Sequence, residues 1–199
     1  MIFEYQHFFF NCIPKTGSKT TSNWCKINNM SNVSQVNFEK PVFAIMRDQK
    51  DRIISGIFED IFHSTLINYN ITGLEPFVEV EHLYRKTISE WAKDCSINVL
   101  SHQCHYADLE MYFFNTEIAV NLSEIYWIHM DDILIIDQLI NKVFGFDLKL
   151  SPVLKENFSF DNRRPSKEYF YEIIKDNVQV MLWLENRIQK SYNPTYIKL

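Results

Sequence analysis

Apolar residues along this chain follow two periods. Largely apolar runs at 7–13 ("HFFFNCI"), 42–46 ("VFAIM") and 124–130 ("EIYWIHM") predict short strands, and "INVL" at 97 predicts a smaller one. Between them the spacing turns helical. Ile53, Ile54, Ile57, Phe58, Ile61 and Phe62 form a stripe within "DQKDRIISGIFEDIFHSTLI". Leu83, Tyr84, Ile88, Trp91 and Cys95 do the same within "EHLYRKTISEWAKDC". "TGSKTTSNWCKI" is a turn feeding a helix, and "DDILIIDQLINKVFG" is a helix stopped by Gly145. A last helix is expected from near Ser166 to about Lys190, with Pro165 near its start. Segment 146–165 has the least periodicity. Strands alternating with helices predict an α/β fold on a short central parallel sheet. No repeat, linker or low-complexity stretch divides the 199 residues, so a single domain over 1–199 is expected.

Composition narrows the classes. A hydrophobic fraction of 46% supports a real core. A net charge of −5 argues against bulk nucleic-acid binding, which needs a basic face. No basic, apolar and cleavage-site succession opens the chain, and "HFFF" is far too short to span a bilayer. The expectation is a soluble, cytoplasmic protein without a transmembrane segment. Cys12, Cys25, Cys95 and Cys104 are scattered and form no CxxC pair. They are expected as buried thiols rather than zinc ligands, and no metal-ligand spacing occurs elsewhere.

Chemistry concentrates at two strand ends. "IPKTGSKTT" places Lys15, Thr16, Gly17, Ser18, Lys19, Thr20 and Thr21 where a strand becomes a helix. Converging N–H groups, hydroxyls and the positive end of a helix dipole suit an anion there. The nucleotide triphosphatase pattern GxxxxGK[ST] fails, because Cys12 stands where its first glycine belongs. The plain alternative is a surface turn with solvated lysines. The second strand end, "AIMRDQKDRIISG", carries Arg47, whose planar guanidinium suits a phosphate bidentately, and Ser55 about two helical turns on. Two anion sites at strand ends suit one ligand with two separated phosphate-like groups.

These residues resemble the sulfotransferases that use 3′-phosphoadenosine 5′-phosphosulfate (PAPS). "IPKTGSKT" is similar to the family's 5′-phosphosulfate loop, commonly PKTGST or PKSGTT. "RDQKDRIIS" is similar to its 3′-phosphate motif R-D-P-x-x-R-x-x-S, with Gln49 for the proline. The spelling is most similar to the carbohydrate branch, which includes the heparan and chondroitin enzymes. "IYWIHMDDILIIDQLINKVFGF" and "LSHQCHYADL" resemble later family segments more weakly. The resemblance implies a P-loop-like three-layer fold and sulfuryl transfer from PAPS to a hydroxyl or amine, on a carbohydrate acceptor, without a metal. It assigns Lys15 to the bridging oxygen of the leaving group. Thr16, Gly17, Ser18 and Thr20 fall to the phosphosulfate, and Arg47 and Ser55 to the 3′-phosphate.

Other roles stay open. Lys19 replaces a small hydroxyl residue of the family loop, and either adds charge at the 5′-phosphate or points to solvent. Candidate catalytic bases are His102, Glu59 and His105. Ser55, Glu59 and His63 step by four along one helix face, which is either a functional or a solvated face. Arg163 and Arg164 in "NFSFDNRRPS" either close over PAPS or form a solvated basic turn. Two competing classes remain beside the enzyme. One is a PAPS- or PAP-binding module that has lost transfer, PAP being the product nucleotide 3′-phosphoadenosine 5′-phosphate. The other is a P-loop kinase.

Overall fold

The computed structural model describes residues 1–36, 38–72, 75–95, 112, 121–145, 148–153 and 165–199. The chain divides into two compact units. One comprises 1–49, 107–157 and 192–199, and the other 50–106 and 158–191.

The first unit is built on a five-stranded sheet of order β3-β1-β2-β4-β5. Its strands are β1 (Ile2–Glu4), β2 (Phe9–Asn11), β3 (Ser31–Val33), β4 (Val42–Met46) and β5 (Ile125–His129). β2, β4 and β5 run parallel, whereas β1 pairs antiparallel with both β2 and β3. The parallel sheet expected from the sequence holds for β2, β4 and β5, and the strands not anticipated extend it to a mixed one. The reason is loop length. Only residues 5–8 join β1 to β2, closed by Tyr5 N–H donating to Phe8 O at 2.8 Å, and a parallel crossover needs roughly a dozen residues or more. β1 and β3 were not anticipated; β3 is exposed at Ser31 and Asn32 and lacks the apolar run that marks a buried strand.

Alternation along the strands builds two cores. Phe8, Phe10, Phe43, Ile45 and Ile128 share one cluster with Trp24 and Cys25 of helix α1 (Ser18–Ile27). Ile136, Leu139 and Ile140 of helix α4 (Ile136–Phe144) join the same cluster. Phe9, Val42, Ala44, Met46 and Trp127 belong to a second cluster with Tyr112 and Leu122, against which Tyr192 and Tyr196 pack. β4 is buried at every position, which explains its continuous apolar run. The helix expected over 131–145 opens as a 3-10 helix, Met130–Ile135, before α4 begins. Gly145, with φ 70, ends α4 as anticipated.

The second unit packs α2 (Gln49–Asn68, from residue 50 onward), α3 (Phe77–Trp91), α5 (Lys167–Ile174) and α6 (Val178–Lys190). Its core joins Ile53, Ile57 and Ile61 of α2 to Tyr84 and Trp91 of α3 and to Phe170 and Leu184. Of the stripes seen in the sequence, all but Ile54 and Leu83, which are half-buried, are buried. The single last helix is corrected to two. Asn177 N–H closes the end of α5 on Ile174 O at 3.0 Å, and its side chain accepts from Val180 N–H at 3.1 Å to cap α6. The strand expected at "INVL" lies outside the described residues. No helix among the described residues is long and apolar enough to cross a membrane.

Candidate functional site

The parallel register brings three strand ends of the first unit to one edge. Asn11 lies opposite Ala44, and Met46 opposite His129. The segments that follow β2, β4 and β5 therefore leave the sheet side by side, where parallel sheets hold ligands.

The β2 segment is the Lys15–Thr20 turn. Thr16 is buried, and its Oγ1 donates to Ile13 O at 2.8 Å, which folds the turn back on the strand. Lys15 has φ 63 and Gly17 φ 76, so two left-handed residues flank Thr16. Glycine adopts that conformation freely, but a lysine there costs about 1–2 kcal/mol. Gly17 is the N-cap of α1 and has no side chain to close the first helical turn, which also contains no acidic residue. Neither a side-chain cap nor an acidic residue therefore offsets the positive end of the dipole at this helix start. Thr21 braces the turn from within, its N–H donating to Gly17 O at 3.0 Å and its Oγ1 to the same oxygen at 3.1 Å. Lys15 is half-buried and Lys19 exposed, so the two ammonium groups are not equivalent.

Behind the turn, Cys12 and Cys25 are buried free thiols. The Cys25 hydrogen bond pulls the Cys12 thiol down, whereas burial pushes Cys25 up. Cys95 is also buried and free, and Cys104 lies outside the described residues.

The β4 segment carries Arg47, half-buried immediately after Met46. Gln49 fastens the start of α2 by donating from Nε2 to Tyr192 O at 2.9 Å. The β5 segment begins at His129, the last residue of β5 and the polar position in "IYWIHM", which the sequence does not single out. Its Nδ1 accepts from Asp131 N–H at 3.3 Å and lies 3.4 Å from Asp131 Oδ2. The β2 and β5 segments meet: a Cβ on Gly17 would stand 3.0 Å from Ile133 Cδ1 and 3.9 Å from Met130 Cε.

Ser55 and Glu59 belong to the second unit. Ser55 is buried, and its hydroxyl oxygen accepts from Lys167 Nζ at 2.6 Å, a partner the sequence did not suggest. Glu59 Oε1 lies 3.0 Å from His63 Nε2, so the expected four-residue step is a direct contact. His102, His105, Arg163 and Arg164 lie outside the described residues. Among the described residues no group of three or more His, Cys, Asp or Glu side chains is placed to hold a metal ion. No family model, curated protein or solved structure matches the chain.

Proposed function

We propose that the protein is a PAPS-dependent sulfotransferase whose donor site lies at the carboxyl edge of β2, β4 and β5, on a P-loop-like variant of the α/β fold. The observation that carries this reading is the Lys15 backbone at φ 63, directly before a left-handed Gly17 that opens α1. A lysine held in a costly conformation at the start of a helix whose first turn lacks a side-chain cap supports an anion site there. The motif likeness supplies the ligand: the phosphosulfate on the Gly17–Thr20 start of α1, and the 3′-phosphate toward Arg47.

In transfer, the bond from sulfur to the 5′-phosphate bridging oxygen breaks, and a bond from sulfur to the acceptor oxygen or nitrogen forms. The acceptor's proton leaves, and PAP departs with the electron pair on the bridging oxygen. The Lys15 ammonium acts on that oxygen, where charge develops only in the transition state, so it lowers the barrier rather than merely tightening binding. The acceptor is a hydroxyl or amine, and the loop spelling favours a carbohydrate.

PAP is expected to bind better than 5′-AMP, which lacks the 3′-phosphate. A charge-assisted guanidinium contact contributes on the order of 1.5–3 kcal/mol, or roughly tenfold or more in affinity. Titration calorimetry with both nucleotides reads this directly. Arg47→Ala is expected to abolish the difference and leave AMP affinity nearly unchanged. Equal affinity of the unaltered protein for the two nucleotides removes the assignment. PAP binding without sulfate transfer to any acceptor in a carbohydrate panel identifies a binding module instead, and preference for ATP with magnesium identifies a kinase.

A further inference from the structure

We infer that the C-terminal segment 192–197 positions Arg47 for the 3′-phosphate, by tying the residues on either side of Arg47 to β5. The inference deepens the donor-site reading above and rests on it. Gln49, which makes the tie, acts on Arg47 and not on the nucleotide.

Arg47 and Asp48 lie between β4 and α2, outside both regular elements, so the contacts of their neighbours bear directly on where the guanidinium stands. The C-terminal segment supplies such contacts on both sides. After Arg47, Gln49 Nε2 donates to Tyr192 O at 2.9 Å, joining positions 143 apart in the chain. Before it, Met46 belongs to the buried cluster against which Tyr192 and Tyr196 pack. Asp48 is near enough to Tyr196 to add to the upward push that burial gives its phenol. All of these residues belong to the first unit.

The segment is itself anchored on the sheet. Tyr196 bridges to Trp127 in the parallel sense, and the Ile197 N–H donates to Trp127 O at 2.8 Å. The Tyr192 ring lies 5.8 Å from the Trp127 ring, and the Tyr196 ring meets His129 edge-on at 4.9 Å. Trp127 is buried, and its indole N–H donates to Leu122 O at 3.0 Å. The carbonyl that holds Gln49 is thus carried by a segment fixed to a hydrogen-bonded core residue. A bidentate guanidinium contact depends on angle as well as distance, so holding the backbone beside Arg47 favours the phosphate-binding geometry.

Gln49→Met keeps the length of the side chain and removes its donor. Calorimetry with PAP and 5′-AMP is expected to show PAP affinity falling about three- to tenfold, the range of one ordinary hydrogen bond. AMP affinity is expected to stay within about twofold, because AMP has no 3′-phosphate. In an Arg47→Ala background the same substitution is expected to change neither affinity, since a residue that acts only through Arg47 has nothing left to position. An unchanged preference for PAP over AMP in Gln49→Met overturns the inference and leaves the donor-site reading standing. So does an equal loss of both affinities, or a PAP loss that persists in the Arg47→Ala background. No preference for PAP in the unaltered protein overturns both readings together. Should Gln49→Met fail to fold, hydrogen exchange of the Ile197 amide in the unaltered protein carries the test. PAP is expected to slow it more than AMP does at equal saturation, where general stabilisation by the two ligands is the same. Equal exchange with the two nucleotides overturns the inference.

Discussion

Lys15 and Lys19 have the same charge four positions apart, but their surroundings separate them. Lys15 is half-buried with φ 63, and Lys19 is exposed on the first turn of α1. Under the proposed reaction, Lys15→Ala is expected to lower single-turnover transfer from labelled PAPS by about a hundredfold or more, as loss of one preorganised donor does. PAP affinity is expected to fall much less, because the backbone donors remain, and Lys19→Ala is the matched control. A larger loss for Lys19→Ala than for Lys15→Ala shows the roles reversed. Lys15→Gly adds a second reading of the same position. Glycine removes the left-handed cost, so this variant is expected to hold or raise the melting temperature while transfer collapses. At Gly17 the sign inverts. Alanine there meets φ 76 and the Ile133 methyl at 3.0 Å, and Gly17→Ala is expected to cost about 1–2 kcal/mol in urea unfolding. That a turn feeds a helix at "PKTGSKT" was legible from the sequence. The positive φ at Lys15 was not, because nothing in a residue's type announces that its neighbours force it into a rare conformation.

The strands and helices divide along similar lines. β4 was read to the residue, since a strand buried on both faces leaves a continuous apolar run. The α2 stripe was equally plain, and Ile53, Ile57 and Ile61 are fully buried. Short polar elements were not legible. β3, with Ser31 and Asn32 exposed, is held by pairing with β1 rather than by any apolar pattern. The break between α5 and α6 follows from a local competition. The Asn177 side chain bonds Val180 N–H more readily as a cap than it supports a continuous helix. Asn177→Ala is expected to destabilise the second unit by about 1 kcal/mol, the usual cost of a lost N-cap. Hydrogen exchange at the amides of Val178–Met181 is the measurement, and unchanged protection there assigns the break to packing instead. The histidine at the end of β5 was overlooked for a related reason. As one polar residue between Ile128 and Met130 it resembles any strand terminus, and only pairing with β4 sets it opposite Met46.

The two units owe their stability to separate apolar clusters, one on each face of the sheet in the first and one among α2, α3, α5 and α6 in the second. Ile128 is fully buried in the first unit and Phe170 in the second. Truncation of Ile128 to alanine is expected to cost about 2–5 kcal/mol, and of Phe170 about 3–5 kcal/mol. A lower urea midpoint at unchanged slope checks each. Periodicity and turn chemistry alone established where β2, β4 and β5 lie, which helix stripes are apolar, and that "PKTGSKT" and "RDQKDRIIS" stand at strand ends. These are near-neighbour properties, carried by residues within one or two helical turns of each other. Strand direction, order and register depend on contacts between residues distant in the chain, such as Ile2 with Val33 and Met46 with His129. Tertiary structure alone therefore decided that β1 runs against its neighbours, that Lys167 reaches Ser55, and that the segment after β5 closes on Gly17. Such contacts are chosen by the joint burial of many side chains, and no single stretch of sequence carries that information.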